Sequence, residues 1–249
     1  MRIAIISDVH GNVHALDAVL ADLDASGPFD EVIYAGDVAF NGAFPAESID
    51  RLRERGYRAV RGNTDEFLVV AARGSSYETS VTDEKQQHSP ALQELDRWAN
   101  ARLTDEHIDY LASWPLRIDI AGPDQQRLTI CHASPWSAHV TVFEEAPEDV
   151  ARQMLDYADS QAVCYGHIHV QYRRDIDGRR LCAVGSIGAP FDGDPRADYA
   201  VMTNDGSGWD VEFHSIDYDI QAAYDGLMNS TLPNHEKVAE GVRTGIRNI

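Results

Sequence analysis

Arg2-Ile3-Ala4-Ile5-Ile6-Ser7-Asp8-Val9-His10-Gly11-Asn12 decides how this chain is read. Residues 2–6 are a short apolar run, right for a buried strand, and a polar loop with an acid and an imidazole follows at once. The same alternation continues. Residues 13–25 put Leu16, Val19, Leu20 and Leu23 on one helical face, and Ser26-Gly27-Pro28 stops the helix. Residues 31–35 read as a second strand. Pro45–Arg55 reads as a second helix with proline at its start and Gly56 at its end, and residues 57–60 as a third strand. A βαβαβ order implies parallel strands with right-handed crossovers. Polar loops (residues 7–12, 36–42 and 61–65) follow the strands, and the carboxyl ends of strands are where such sheets bind ligands.

Further along, residues 74–113 are polar and helical in pattern, anchored by Leu92, Leu95, Trp98, Leu103, Ile108 and Leu111, with breaks at Ser75-Ser76 and Ser89-Pro90. This stretch reads as a small helical insertion, a cap over the site. Strands dominate after it: residues 116–120, 128–131, 162–165, 170–174, 180–184, 199–203 and 209–214, with hairpin turns at Asp177-Gly178 and Asp205-Gly206. Helices are expected over Glu148–Ala158 and residues 219–228, and the last fifteen residues show a weak helical pattern. With no internal repeat, low-complexity tract or linker, residues 1–249 read as one domain.

Composition narrows the function. The 249 residues carry 21 Lys+Arg against 41 Asp+Glu, a formal charge of −20. That excludes a general nucleic-acid binder, which matches phosphate charge with Lys and Arg, and docking on anionic lipid. No apolar run approaches the roughly 20 residues of a membrane span. The first residues meet acid too soon for a signal peptide. Cys131, Cys164 and Cys182 are too scattered for a disulfide framework, so a cytoplasmic location is expected.

The chemistry sits at the strand ends. Asp8 and His10 follow the first strand, Asp37 the second and Asn63 the third. His132 follows the strand ending at Cys131, and His167 and His169 the one ending at Tyr165. If the strands lie side by side, all seven side chains converge on one rim. Imidazole mixed with oxygen donors suits Mn, Fe, Zn, Ni or Co, and is too rich in nitrogen for Ca or Mg. Without a thiolate it is not a structural zinc–cysteine site. Seven ligands exceed what one ion takes, but with one Asp bridging they give two ions four each. Paired ions about 3.5–4 Å apart are a standard device for in-line displacement at phosphorus. Gly11, Gly36, Gly62 and Gly166 each neighbour a proposed ligand, as tight loops require.

The ordered set Asp8-Val9-His10, Gly36-Asp37, Gly62-Asn63-Thr64-Asp65, His132 and Gly166-His167-Ile168-His169 resembles the calcineurin-like metallophosphoesterase superfamily over roughly residues 1–205. Ser7 to Asn12, Gly185-Ser186-Ile187-Gly188 and Asp192-Gly193-Asp194-Pro195-Arg196 look like its bacterial branch of diadenosine-tetraphosphatase-like proteins and small phosphodiesterases. The resemblance implies an α/β fold: a four-layer α/β/β/α sandwich of two mixed sheets with a small helical cap. It implies two divalent transition-metal ions, manganese foremost. Asp8, His10, Asp37 and His169 would hold one; Asp37, Asn63, His132 and His167 the other. Asp37 would bridge them together with the hydroxide that attacks phosphorus. Asp37, Asn63, His132 and Asp65 stand as the catalytic residues.

One position departs from the family. Thr64 stands where a histidine, held by the following acid, is taken to protonate the leaving oxygen. Threonine cannot do so near neutral pH. The expected enzyme is therefore a phosphodiesterase, or hydrolyses nucleotide phosphoanhydrides, whose leaving groups need little help. The alternatives are a protein serine/threonine phosphatase-like monoesterase and a non-catalytic metal-binding scaffold. The expected partner is a small, nucleotide-like phosphorylated substrate. Asn12, Thr64 and Arg196 are candidate substrate contacts, although Asn12 also suits a helix cap and Arg196 an ion pair with Asp192 or Asp194. His14, His88, His107, His139, His214 and His235 match no motif and read as surface or core residues, His139 being the foremost exception. Cys131 reads as a packed residue, and Trp98, Tyr110 and Trp114 as helix anchors.

Overall fold

The computed structural model describes residues 1–74 and 89–247. The first sheet has the order β10(Trp209–Ile216), β9(Ala197–Asn204), β1(Arg2–Ile6), β2(Glu31–Tyr34), β3(Arg58–Ala59). As the alternation implied, β1, β2 and β3 are parallel, with Ile5 opposite Ile33 and Tyr34 opposite Ala59. The second sheet runs β4(Arg117–Ala121), β5(Arg127–Cys131), β6(Ala162–Tyr165), β8(Arg179–Val184), β7(Gln171–Ile176), with β5, β6 and β8 parallel.

Period-two alternation sorts the side chains into layers. Ile3, Ile5, Ile33 and Ala35 face Ile130, Ala162, Cys164 and Cys182 between the sheets. On the other face, Ala4, Ile6 and Tyr34 pack under α1(Val13–Ser26) and α2(Pro45–Arg55). Val163, Tyr165 and Leu181 pack under α6(Glu148–Ala158) through Met154 and Leu155. The result is the expected α/β/β/α sandwich. Central strands buried on both faces explain why β1 reads as a continuous apolar run. They also fix register. A slip of one residue would exchange the two faces of β1 and turn Asp8 off the rim.

One local reading is revised and two are sharpened. Residues 61–65, expected as a loop, lead directly into α3(Asn63–Arg73). Asp65, in its first turn, accepts the Gly62 N–H at 2.8 Å, so polar residues mistaken for a loop are a helix start. Ser89-Pro90 is likewise a start. Ser89 Oγ accepts the Leu92 N–H, and Pro90 opens α4(Pro90–Asn100), which α5(Asp105–Ala112) follows. Ser75-Ser76 and His88 lie outside the described residues. Finally, the weak pattern at the end of the chain is a regular helix, α8(His235–Thr244), packed with α7(Ile220–Met228) onto the outer core through Ala223, Leu227, Ala239 and Val242. No helix among the described residues is long and apolar enough to cross a membrane.

Candidate metal centre

The loops at the carboxyl ends of β1, β2, β5 and β6 are laced together by backbone hydrogen bonds. Asp8 N–H donates to Gly36 O at 2.9 Å, His10 N–H to Asp37 O at 3.0 Å, and Gly166 N–H to His132 O at 2.9 Å. The Gly185 to Gly188 stretch binds the first loop from the far side: Ile187 and Gly188 N–H reach Ser7 O and Asp8 O at 2.9 Å each. Five of the expected ligands (Asp8, His10, Asp37, His167 and His169) sit in left-handed backbone, with φ between 48° and 68°. Asp and His are among the residues that tolerate that region, and such conformations cluster at functional sites. Two glycines are forced by proximity. A Cβ on Gly62 would overlap Asp37 Oδ1, and one on Gly166 would overlap Ser7 Oγ and Asp8 Oδ2.

All seven predicted ligands converge, in two overlapping groups. In the first, His169 Nε2 lies 3.2 Å and His10 Nε2 3.6 Å from Asp8 Oδ1, and His10 Nε2 lies 3.7 Å from Asp37 Oδ2. In the second, Asn63 Oδ1 is 3.0 Å from His132 Nε2 and 2.9 Å from His167 Nδ1, while His132 Nε2 is 3.4 Å from Asp37 Oδ2. Asp37 Oδ2 therefore faces both groups, which suits the bridging role the resemblance implied. Asp8, His10 and His169, and separately Asp8, Asp37 and His132, are spaced to hold a metal ion.

The donor chemistry fits cations. His10, His132 and His169 each place Nδ1 on a backbone carbonyl (Phe40 O at 2.9 Å, Ala35 O at 2.8 Å, Ala189 O at 2.5 Å), which leaves Nε2 for the centre. His10 Nε2 then lies 3.3 Å from His169 Nε2, and His167 Nδ1 3.2 Å from His132 Nε2. Asp8 Oδ1 is buried and, apart from the facing imidazoles, meets no hydrogen-bond donor among the described residues. Imidazole nitrogens and carboxylate oxygens crowded this closely away from solvent are costly unless protons or a cation lie among them. Charge agrees. Burial opposes ionisation of Asp8, yet His169, His10 and His132 hold its carboxyl well below the usual range, and His132 and His10 do the same for buried Asp37. Against its own burial, His132 is pushed up to about 10 by Asp37 and Asp8, whereas burial and His132 push His167 down to about 4.

A cavity of about 680 Å³ opens over the donors, within the range that admits small ligands. His10, Asp37, Asn63, His167 and His169 form its floor. Its walls include Phe44, Leu92, Leu95, Leu227 and Val238, so the insertion does contribute to the cover, jointly with α7 and α8, which sequence reasoning missed. Asn12 is the expected helix cap and also lines the cavity. Its Oδ1 accepts the Ala15 N–H and caps α1, and its Nδ2 donates to Gly188 O. Thr64 lines the cavity too, with its hydroxyl buried and unpartnered.

Two expected site residues lie elsewhere. Asp65 is buried behind the rim, where its oxygens accept the N–H groups of Gly62, Asp37 and Val38 at 2.8–3.1 Å; it is a strut between two loops. Burial, and then the charge of Asp37, push its pKa up to about 6. Arg196 is exposed and forked onto Asp194, the ion-pair alternative, and does not line the cavity. Among the described residues, the Lys and Arg side chains that line it are Lys237 and Arg247. Arg247 lies over the Phe191 ring at 5.4 Å, and Phe191 stacks flat on His169 with 4.3 Å between centroids. His139 is indeed the exceptional histidine: it lines the cavity and bonds Glu66. By contrast, His107 bonds Asp50, His214 stacks on Tyr199, and His235 bonds Leu232 O. Tyr110 and Trp114 pack on each other, and Trp98 bonds Thr231.

A rim of imidazole and carboxylate donors between two facing sheets is a candidate metal centre of the kind that metal-dependent phosphoesterases carry. The chain belongs to the calcineurin-like phosphoesterase superfamily, whose domain matches residues 1–207. It is 28% identical to an uncharacterised protein of Methanocaldococcus jannaschii over 248 residues, 93% of each chain. It is similar in structure to a metallophosphoesterase from Sphaerobacter thermophilus (27% identity, 99% of this chain and 100% of that one, TM-score 0.75). A hypothetical protein from Pyrococcus horikoshii shares the fold (18% identity, 98% of each chain, TM-score 0.81).

Proposed function

We propose that this protein is a phosphodiesterase, or hydrolyses nucleotide phosphoanhydrides, with two divalent transition-metal ions, manganese foremost, on a small anionic substrate in the cytoplasm. The observation that carries this reading is the pair of donor groups meeting at Asp37 Oδ2, under a cavity of molecular size. Asp8, His10, Asp37 and His169 would hold one ion, and Asp37, Asn63, His132 and His167 the other. When bound, the ions neutralise phosphate charge and supply hydroxide at neutral pH. The chain's own residues do the rest. Backbone carbonyls fix three of the four imidazoles, Asp65 fixes the Asp37 loop, and the helical wall covers the donors. The apolar wall suits an organic group such as a nucleoside. Lys237 and Arg247 suit a second phosphate, a substrate contact of the kind expected of Arg196. Three buried free cysteines fit a reducing compartment.

Hydrolysis of bis-p-nitrophenyl phosphate and p-nitrophenyl phosphate, scanned over Mn, Ni, Co, Zn and Mg, tests this reading. Both esters have an easy leaving group, so Thr64 cannot mask either. The diester should turn over, and Asp37→Asn should cost roughly a thousandfold or more. No turnover with any metal, despite bound ions, would favour the scaffold.

A further inference from the structure

An oxygen leaving phosphorus takes up charge, and a proton delivered to it contributes roughly 10²–10⁴-fold. Neither residue at the expected position supplies one. Thr64 cannot, and all of Asp65 is committed to backbone N–H groups. Among the described residues lining the cavity, His139 is the one imidazole outside the donor groups.

His139 is built into place. Glu66 Oε2 accepts from its Nε2 at 2.7 Å, and Glu66 Oε1 accepts from Arg61 Nε at 2.7 Å. The Glu66 side chain is 4% exposed and that of His139 10%, so the carboxylate is held on one side and orients the imidazole on the other. The His139 N–H is anchored by Ser137 Oγ at 3.1 Å, and the Phe67 ring packs 5.3 Å away. With Nε2 committed to Glu66, Nδ1 is the remaining ring nitrogen of a side chain that lines the cavity, and it makes no hydrogen bond among the described residues. A carboxylate behind an imidazole fixes its tautomer and its orientation.

We propose that His139 is a catalytic residue that protonates the leaving oxygen, with Glu66 and Arg61 as positioning residues. This rests on the phosphoesterase reading above and widens its substrates to esters of ordinary alcohols. A hydroxide oxygen forms the new bond to phosphorus, and the electron pair of the breaking P–O bond goes to the departing oxygen. That oxygen takes the Nδ1 proton and leaves as a neutral alcohol. The proton released when water gave the hydroxide restores the imidazolium.

The test is a leaving-group series: diesters that release p-nitrophenol, phenol and methanol, measured as kcat for the wild type and His139→Gln at equal metal content. The variant should lie within about threefold of the wild type on p-nitrophenol release and fall roughly 100-fold behind on methanol release. Its dependence on leaving-group pKa should therefore be steeper. Glu66→Gln should shift the same way by less. His139→Asn serves if His139→Gln fails to fold. Equal slopes overturn the proposal, a wild type too slow to measure on the methyl ester included, while the phosphodiesterase reading stands. No turnover of any ester by either protein overturns both.

Discussion

At the sheet rim, Asp8, His10, Asp37 and His132 come from loops bonded to one another through their backbones, and several lie in left-handed conformations that only such bonding sustains. On the facing wall, Leu92, Leu95, Leu227 and Val238 come from helices held by packing. The rim is over-determined and the wall is adjustable. On the reading proposed above, the rim would carry the chemistry common to the family and the wall would choose the substrate. Substitutions at the rim should therefore act on every substrate alike, and those on the wall on some.

The sharpest way to break that contrast is Gly62→Ala. The added methyl meets Asp37 Oδ1 and lies 2.6 Å from Asp37 N, so Asp37 must move. Metal affinity, read by calorimetric titration, should fall roughly 10–100-fold while circular dichroism stays native. Unchanged affinity would mean that the rim adjusts as readily as the wall. A smaller and selective effect is expected opposite it. Removing both cations with Lys237→Ala and Arg247→Ala should raise KM about tenfold for substrates with a second phosphate, and leave bis-p-nitrophenyl phosphate alone. Loss on both substrates would give these residues to the common chemistry.

The last test separates stability from either region. Asp198, on β9, is buried, and its pKa is pushed from 3.8 up to about 7, by burial first, with Asp192 and Asp194 adding to it and Ser215 opposing. Between those values the unfolded chain releases a proton that the folded chain keeps, so stability falls as pH rises. Asp198→Asn should flatten that fall by at most about 4 kcal/mol, with no change in turnover. Thermal melts at pH 5 and pH 8 read it. Parallel pH profiles for the two proteins would place the dependence elsewhere.

The same contrast governs what the amino-acid order discloses. Asp8, Asp37, His132 and His167 are legible because a ligand at the end of a parallel strand has a fixed neighbour in sequence, and the strands bring their ends together. The wall is not. Leu227 and Val242 are ordinary residues of amphipathic helices, and only tertiary packing turns them toward a cavity. The link between Glu66 and His139 joins residues 73 positions apart and follows no spacing rule. Asp65 misled differently. Its motif position was right, but without a histidine at 64 its oxygens serve the backbone. α3 was lost because Asn63, Thr64, Asp65 and Glu66 are favourable both in loops and in a helix's first turn.

Each donor group draws on both sheets. Asp8, His10, Asp37 and Asn63 follow strands of the first; His132, His167 and His169 follow strands of the second. Asn63 lies 69 residues before His132, and His10 lies 159 before His169. A chain still emerging from the ribosome therefore has no complete site until β6 has been made and docked. On the reading proposed above, a metal ion would be acquired only after the two sheets have docked. In refolding experiments, metal uptake should lag behind the burial of Ile5 and Cys164 between the sheets.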